Sequence, residues 1–393
     1  MRIALVGVGG YGALYAWALL SPPPELDVVF AAAIDPMAER SRAWAAMQQA
    51  GVPAFSDFND FLKQQSADLV VIAAPIHLHA PLTRLALQHN LPVLCEKPLS
   101  ATLEEGLAMR AAERESGLTV GIGYQWSFTA AIQALKADIQ AGVLGKPRRL
   151  KTLVLWPRAL SYYQRNNWAG RLRMPDGAWV LDSPVNNATA HYLHNMLYLL
   201  GERRETSAGL RELQAELYRA NQIENFDAAA LRVWTESGVE VLFYTAHPVR
   251  ELVDPWMVFE FENATVTYRG GEQPEFTAQF KDGTSKNYGS PGDNNADKLW
   301  QMVAALRGGP PPACGILAAL SHTRVVDALR SVPVSEFPAD RLCHEDRGDD
   351  PLVWVDGLGE TFRQAFLEGA LPAELGAGWA ARNELIAVPA LAE

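Results

Sequence analysis

Near the N-terminus, Ile3-Ala4-Leu5-Val6 runs straight into Gly7-Val8-Gly9-Gly10-Tyr11-Gly12, and the fold follows from that junction. A short apolar run closed by glycine fits a buried parallel strand. Residues 11–20 continue with helix formers and stop at Ser21-Pro22-Pro23-Pro24, where proline cannot extend a helix. Glycines 7, 9 and 12 therefore form a GxGxxG turn between strand and helix. The first permits the tight turn, the second lets the backbone approach a pyrophosphate, and the third lets helix and strand pack closely.

Asp35 closes the next apolar run, Val28–Ile34, and can accept hydrogen bonds from ribose hydroxyls. Gly7, Gly9, Gly10, Tyr11, Gly12 and Asp35 thus predict a dinucleotide site with the helix N-terminus facing the phosphates. A carboxylate at 35 repels a 2′-phosphate, so NAD is expected; Arg40 and Arg42 keep NADP open.

The alternation continues outward from this turn. Glu39–Gln49, Leu82–Gln88 and Thr102–Ser116 read as helices, while 68–73, 92–95 and 118–122 read as strands. Such alternation predicts βαβ units and a doubly wound parallel sheet, an α/β Rossmann domain over residues 1–123. Ligands of open α/β sheets lie beyond the carboxyl ends of the strands. Two segments sit at such ends: Ala74-Pro75-Ile76-His77-Leu78-His79 and Glu96-Lys97-Pro98. His77, His79, Glu96 and Lys97 are therefore expected around the cofactor, and Lys97-Pro98 is a candidate cis peptide.

With these residues in view, the chain resembles the glucose-fructose oxidoreductase, inositol dehydrogenase and MocA family. The likeness rests on Gly7-x-Gly9-x-x-Gly12, Asp35, Pro75 with His79, and Glu96-Lys97-Pro98, and it extends over at least residues 1–330. It implies a second, α+β domain built on a large, mostly antiparallel open sheet. It also implies NAD(P)-linked hydride transfer at a hydroxyl carbon of a sugar, cyclitol or related polyol. By that resemblance Lys97 positions or polarises the reacting oxygen, and Glu96 supports the nicotinamide end.

The second domain is expected over 124–393, with Tyr124 at its start counted on the substrate side. Residues 128–141 read as a helix, and 148–155, 228–234, 239–245, 257–261 and 264–268 as strands. Several of these alternate apolar and polar residues, as a half-covered sheet does. A partner subunit covering the other face would make a homo-oligomer, a dimer or tetramer. Asn187–Leu200 reads as one helix stopped by Gly201, presenting Asn187, His191, His194 and Asn195 on one face. The family's Asp-x-x-x-His pattern aligns its proton-transferring histidine with His191. Its aspartate then falls on Asn187, unless Asp182 fills that role. His191-x-x-His194 invites a metal, yet no third histidine or paired carboxylate stands at ligand spacing, so none is expected.

Net charge is −11 over 393 residues, against a nucleic-acid or membrane-surface role. Three separated cysteines and the lack of a signal-like or spanning segment point to a cytoplasmic protein. Within that acidic total, Ile139–Pro175 holds eight Lys or Arg and no Asp or Glu. It reads either as a solvated face or as a substrate loop. The family has a Tyr/Arg/Trp loop here, which places Tyr163, Arg165, Trp168 and Arg171 over the substrate, where arginines suit hydroxyls or an acidic group. Asn294–Arg307 and Cys314–Ser331 read as helices. Beyond them lies an extension, 332–393, with an acidic loop at 344–350 and a helix at 358–367. Two other activities fit the same fold: a glycosidase that oxidises C3 transiently, and a non-catalytic NAD sensor.

Overall fold

The computed structural model describes residues 1–292 and 295–388. They form two compact units, residues 1–128 with 293–320, and 129–292 with 321–393. The chain thus returns to its first unit late, where the sequence reading closes that domain at 123.

In the first unit, β1 (Arg2–Val6), β2 (Val29–Ile34), β3 (Ala54–Phe55), β4 (Leu69–Ile72), β5 (Val93–Cys95) and β6 (Val120–Ile122) form one sheet. The order is β3-β2-β1-β4-β5-β6, parallel throughout. The order reverses direction beside β1, so the crevice of this doubly wound sheet opens at the glycine turn. The helices are α1 (Gly12–Leu20), α2 (Trp44–Gln49), α3 (Phe58–Gln64), α4 (Ile76–Gln88) and α5 (Leu103–Ser116). Thr102 and Glu105 cap α5 reciprocally, satisfying amides that a helix start leaves bare. The helix expected over 39–49 is instead a 3-10 turn at Ala38–Arg40 followed by α2. A returning helix, Asp297–Leu306, packs Leu299, Met302 and Val303 into the core of Ile3, Leu5, Leu69 and Val71. Its expected start at Asn294 lies outside the described residues.

The second unit carries α6 (Ala130–Gln140), α7 (Leu160–Gln164), α8 (Ala190–Leu199) and a large sheet. The sheet comprises β7 (Pro147–Leu155), β8 (Leu210–Arg219), β9 (Ala228–Thr235), β10 (Glu240–Ala246), β11 (Val253–Phe261), β12 (Ala264–Arg269), β13 (Gln273–Phe280), β14 (Ser285–Gly289) and β15 (Val334–Glu336). Its order is β14-β13-β12-β11-β7-β10-β9-β8-β15. Among the described residues, only β7–β10 and β8–β15 pair in parallel in this sheet. The strands β8, β13 and β14 carry no run that the sequence reading marked. The acidic segment expected as a loop begins as a strand, Leu342–Glu345, paired with Leu352–Val355.

The extension has a definite place in this unit. Leu358, Phe362, Phe366 and Leu371 pack on Leu153, Leu155, Leu242 and Tyr244, covering one face of the central strands from within the chain. Tyr244 donates to the Ala370 carbonyl at 2.7 Å, and Glu374 pairs with Arg232. Residues 389–393 lie outside the described residues.

One contact in this cover carries a pH dependence. Glu216 is buried on β8 and accepts from the Tyr218 hydroxyl and, at 3.1 Å, from the Ala373 amide of the extension. Burial pushes its carboxyl up to about 7, opposed by those two donors. A carboxyl raised on folding favours the folded state at low pH and loses that stability as pH rises through its folded value. On the order of 3 kcal/mol is therefore expected to be lost between the ordinary carboxylate range and pH 7. Glu216→Gln should flatten that slope in urea unfolding followed across this pH range; an unchanged slope would assign it elsewhere.

Candidate active site

The residues expected to hold the cofactor lie in the first unit. Gly7 has φ +83°, in the left-handed region open to glycine, and a Cβ there would meet the Ala73 carbonyl oxygen at 2.5 Å. A Cβ on Gly12 would lie 2.0 Å from the Gly7 oxygen, so α1 can start against the turn only without a side chain. Gly9 and Gly10 differ: a Cβ on either meets nothing within 4 Å. Among the described residues no atom would oppose a side chain at either position, which leaves a cradle that suits a pyrophosphate; Gly10, at φ +47°, also uses glycine's backbone freedom.

Asp35 is fixed beside this turn, accepting from the Val8 amide at 3.0 Å and the Met37 amide at 2.8 Å. A cavity of about 350 Å³ opens next to it, lined by Asp35, Glu39, Arg40, Trp44 and Phe55 among others. Its acidic rim and aromatic wall suit an adenosine, and Arg40 stands on the same rim.

At the next strand ends, Ala74 and Pro75 lead into α4, and Lys97-Pro98 is cis. His79 is buried, with Nδ1 2.7 Å from the Pro98 oxygen and Nε2 2.9 Å from the Ala74 oxygen. Its ring therefore braces one strand-end loop against the other. Lys97 is half-buried; His77 is half-buried on the first turn of α4. Glu96 is buried and faces inward: Tyr15 donates to its Oε1 at 2.6 Å, Lys298 pairs with the same oxygen, and the Lys97 amide donates to Oε2 at 3.1 Å. Tyr124 is fully buried, and burial pushes its hydroxyl well up.

The substrate-side residues lie in the second unit, where the structure departs from the expected single helix. Pro184–Ala188 is a π-turn, Thr189 breaks the path, and α8 begins at Ala190. Asn187 therefore does not share a helical face with His191. It is held by Asp182, whose Oδ1 accepts from its Nδ2 at 2.8 Å. Asp182 is buried and also accepts from the Gly170 amide at 2.7 Å and pairs with Arg165 at 3.5 Å. One carboxylate thus ties the aromatic-arginine loop to the turn before α8. The backbone is left-handed just before it, at Leu181 with φ +50°, a costly conformation for leucine.

On α8, His191 is half-buried, whereas His194 and Asn195 are inside. His194 stacks on Tyr198 at 5.7 Å, and burial, with the nearby His322 and Lys136, pushes its imidazole well down. It is a neutral core residue. Both amide atoms of Asn195 lack a hydrogen-bond partner among the described residues.

Above Asp182, the Arg165 guanidinium lies 3.7 Å from the Tyr162 ring centroid and 5.3 Å from that of Trp168. Tyr162 meets Tyr163 edge to face at 5.3 Å, and burial pushes the Tyr163 hydroxyl well up. Much of the basic run is matched by distant acids: Arg171 by Glu224 at 3.6 Å, Lys151 by Glu260 at 3.4 Å, and Arg149 by Glu240. Two further residues pack on this loop: His247, which the sequence reading passed over, and Arg158, which it counted only within the basic run. His247 packs on Tyr162 at 5.3 Å, bonds the Trp156 oxygen at 2.9 Å, and is pushed down to about 3 by burial and by Arg158. Arg158 lies over both Trp156 and Tyr162. The signal for His247 was a lone histidine ending an apolar strand, which is weak.

A glycine turn with a bare cradle, an acid at the end of β2 and a lysine at the end of β5 are the features of a dinucleotide-binding unit. Residues 1–124 match the family described as Oxidoreductase family, NAD-binding Rossmann fold. The match covers the N-terminal NAD-binding unit of this chain and no more than that. Among curated relatives, inositol 2-dehydrogenase of Rubrobacter xylanophilus is 32% identical over 148 residues, 37% of this chain and 42% of that protein. Inositol 2-dehydrogenase 1 of Saccharopolyspora erythraea is 30% identical over 195 residues, 49% of this chain and 57% of that protein. Both matches thus span less than two thirds of those relatives. Solved structures share the fold over most of the chain. WlbA dehydrogenase from Bordetella pertussis, in complex with NADH and UDP-GlcNAcA, matches with a TM-score of 0.68 at 21% identity, over 84% of this chain and 95% of that one.

Proposed function

We propose that the chain is an NAD-dependent oxidoreductase acting on a hydroxyl carbon of a sugar, cyclitol or related polyol. The observation that carries this reading is the first unit's arrangement of a bare Gly9-Gly10 cradle, Asp35 at the end of β2 and Lys97 at the end of β5. The inositol dehydrogenase relatives support the substrate class.

NAD, when bound, supplies the hydride acceptor. Gly9, Gly10 and the N-terminus of α1 would hold its phosphates, and Asp35 its ribose. Lys97 would donate to the substrate oxygen and stabilise its charge as the hydroxyl proton leaves. His191 would take that proton as general base. Asp182 accepts from Asn187 Nδ2, so a carboxylate holds this amide in the turn before α8. Tyr163, Arg165, Trp168 and Arg171 would face the sugar. Because Arg165 and Arg171 already have acidic partners, a neutral polyol suits the loop better than a polyanion.

Turnover with NAD and a panel of cyclitols, aldoses and uronic acids tests the reading; the expected result is accumulation of reduced cofactor with at least one neutral polyol. Cofactor choice tests Asp35 separately. Asp35→Ser removes the charge that repels a 2′-phosphate while Arg40 remains on the rim, so NADPH affinity should rise about tenfold relative to NADH. An unchanged ratio would remove Asp35 as the discriminator.

A further inference from the structure

Lys298 lies on the returning helix Asp297–Leu306, between 175 and 287 residues along the chain from the groups it touches. It is fully buried. Its ammonium pairs with Glu96 Oε1, donates to the Tyr11 hydroxyl at 3.0 Å and lies 3.3 Å from the Gly123 carbonyl oxygen. Those partners belong to the glycine turn, the end of β5 and the end of β6. They are the chain segments that border the crevice of a doubly wound sheet.

We infer that Lys298 is a positioning residue, which locks Tyr11 to Glu96 and so couples the cofactor cradle to the loop that carries Lys97. This rests on the NAD reading above. Glu96 has no slack in the arrangement. Tyr15 donates to the oxygen that Lys298 holds, the Lys97 amide donates to the other, and a Cβ on Gly123 would come within 2.7 Å of the carboxylate. The Tyr11 hydroxyl, held by Lys298, has Gln125 Oε1 at 2.9 Å and Asn295 Oδ1 at 3.1 Å as acceptors. Tyr11 immediately precedes Gly12, so fixing its ring fixes the side of the turn that α1 leaves open.

Packing alone does not call for a charge here. The neighbouring buried positions of the same helix are Leu299, Met302 and Val303. Apolar replacement of a buried ion pair is often neutral or stabilising, whereas removal of one partner leaves a costly bare charge. The pair is therefore better explained by what it orients than by what it adds to stability.

The experiment compares Lys298→Met, Glu96→Gln, the double variant and Tyr11→Phe by NADH fluorescence titration and thermal unfolding. Lys298→Met should lower the melting temperature and weaken NADH binding about tenfold or more, as loss of hydrogen bonds to a charged group does. The double variant should recover the melting temperature but not the NADH affinity. Tyr11→Phe should keep the melting temperature and weaken binding severalfold. A double variant that recovers both properties, or a Tyr11→Phe variant with unchanged affinity, would overturn the inference and leave a purely structural pair. Wild-type protein that binds no NADH would instead overturn the cofactor reading beneath it.

Discussion

Replacing His191 by alanine should lower turnover by roughly 10²–10⁴-fold, the range that one positioned general acid–base contributes. NADH affinity should stay within about twofold, because the cradle and Asp35 belong to the other compact unit. Lys97→Met should show the same split, with a loss of similar size in kcat. The diagnostic is the separation of turnover from cofactor binding. His194 is the control on the same helix: it is neutral and buried against Tyr198, so its replacement should cost stability. Steady-state kinetics and NADH titration on the same preparations check this. Wild-type turnover in His191→Ala would remove the assignment.

The glycines of the turn should separate just as sharply. Gly12→Ala forces a Cβ to within 2.0 Å of the Gly7 oxygen, a backbone atom that cannot swing aside. The turn must open, and a cost of several kcal/mol is expected, about the size of the larger single-mutation effects. Thermal unfolding and NADH binding should both fail. Gly9→Ala meets no atom within 4 Å, so its melting temperature should hold. Its Cβ nevertheless enters the space through which a pyrophosphate approaches the backbone, and NADH affinity should drop about a hundredfold or more. Unaltered affinity in Gly9→Ala would mean that the cofactor does not lie on this turn.

The Rossmann half was legible because its signals are local. A strand, a glycine turn, a helix and an acid at the next strand end each follow from a few neighbouring residues. The cis Lys97-Pro98 bond could be anticipated for the same reason. Long-range pairings were out of reach. Nothing local says that Lys298, one charge in an otherwise apolar stripe, seeks Glu96. The basic run looked unopposed because its acids, Asp182, Glu224, Glu240 and Glu260, come from later strands and loops. The break before α8 was misread for a different reason. Residues 187–200 have helical periodicity, but Ser183 caps a turn beginning at Pro184, and the Thr189 hydroxyl bonds the Pro184 carbonyl at 2.8 Å. Such side-chain-to-backbone bonds compete with regular helix and leave little trace in periodicity.

Substrate deuterated at the reacting carbinol carbon tests the account most directly, once a polyol that reduces NAD has been found. The account predicts that the deuterium is recovered on the nicotinamide, one label for each ketone formed. It also predicts that His191→Ala slows this transfer without weakening NADH binding. Tight NADH binding with no label on the nicotinamide and no net reduction by any polyol would contradict it. Cleavage of a glycoside without net reduction would place the chain with glycosidases that use the cofactor only transiently.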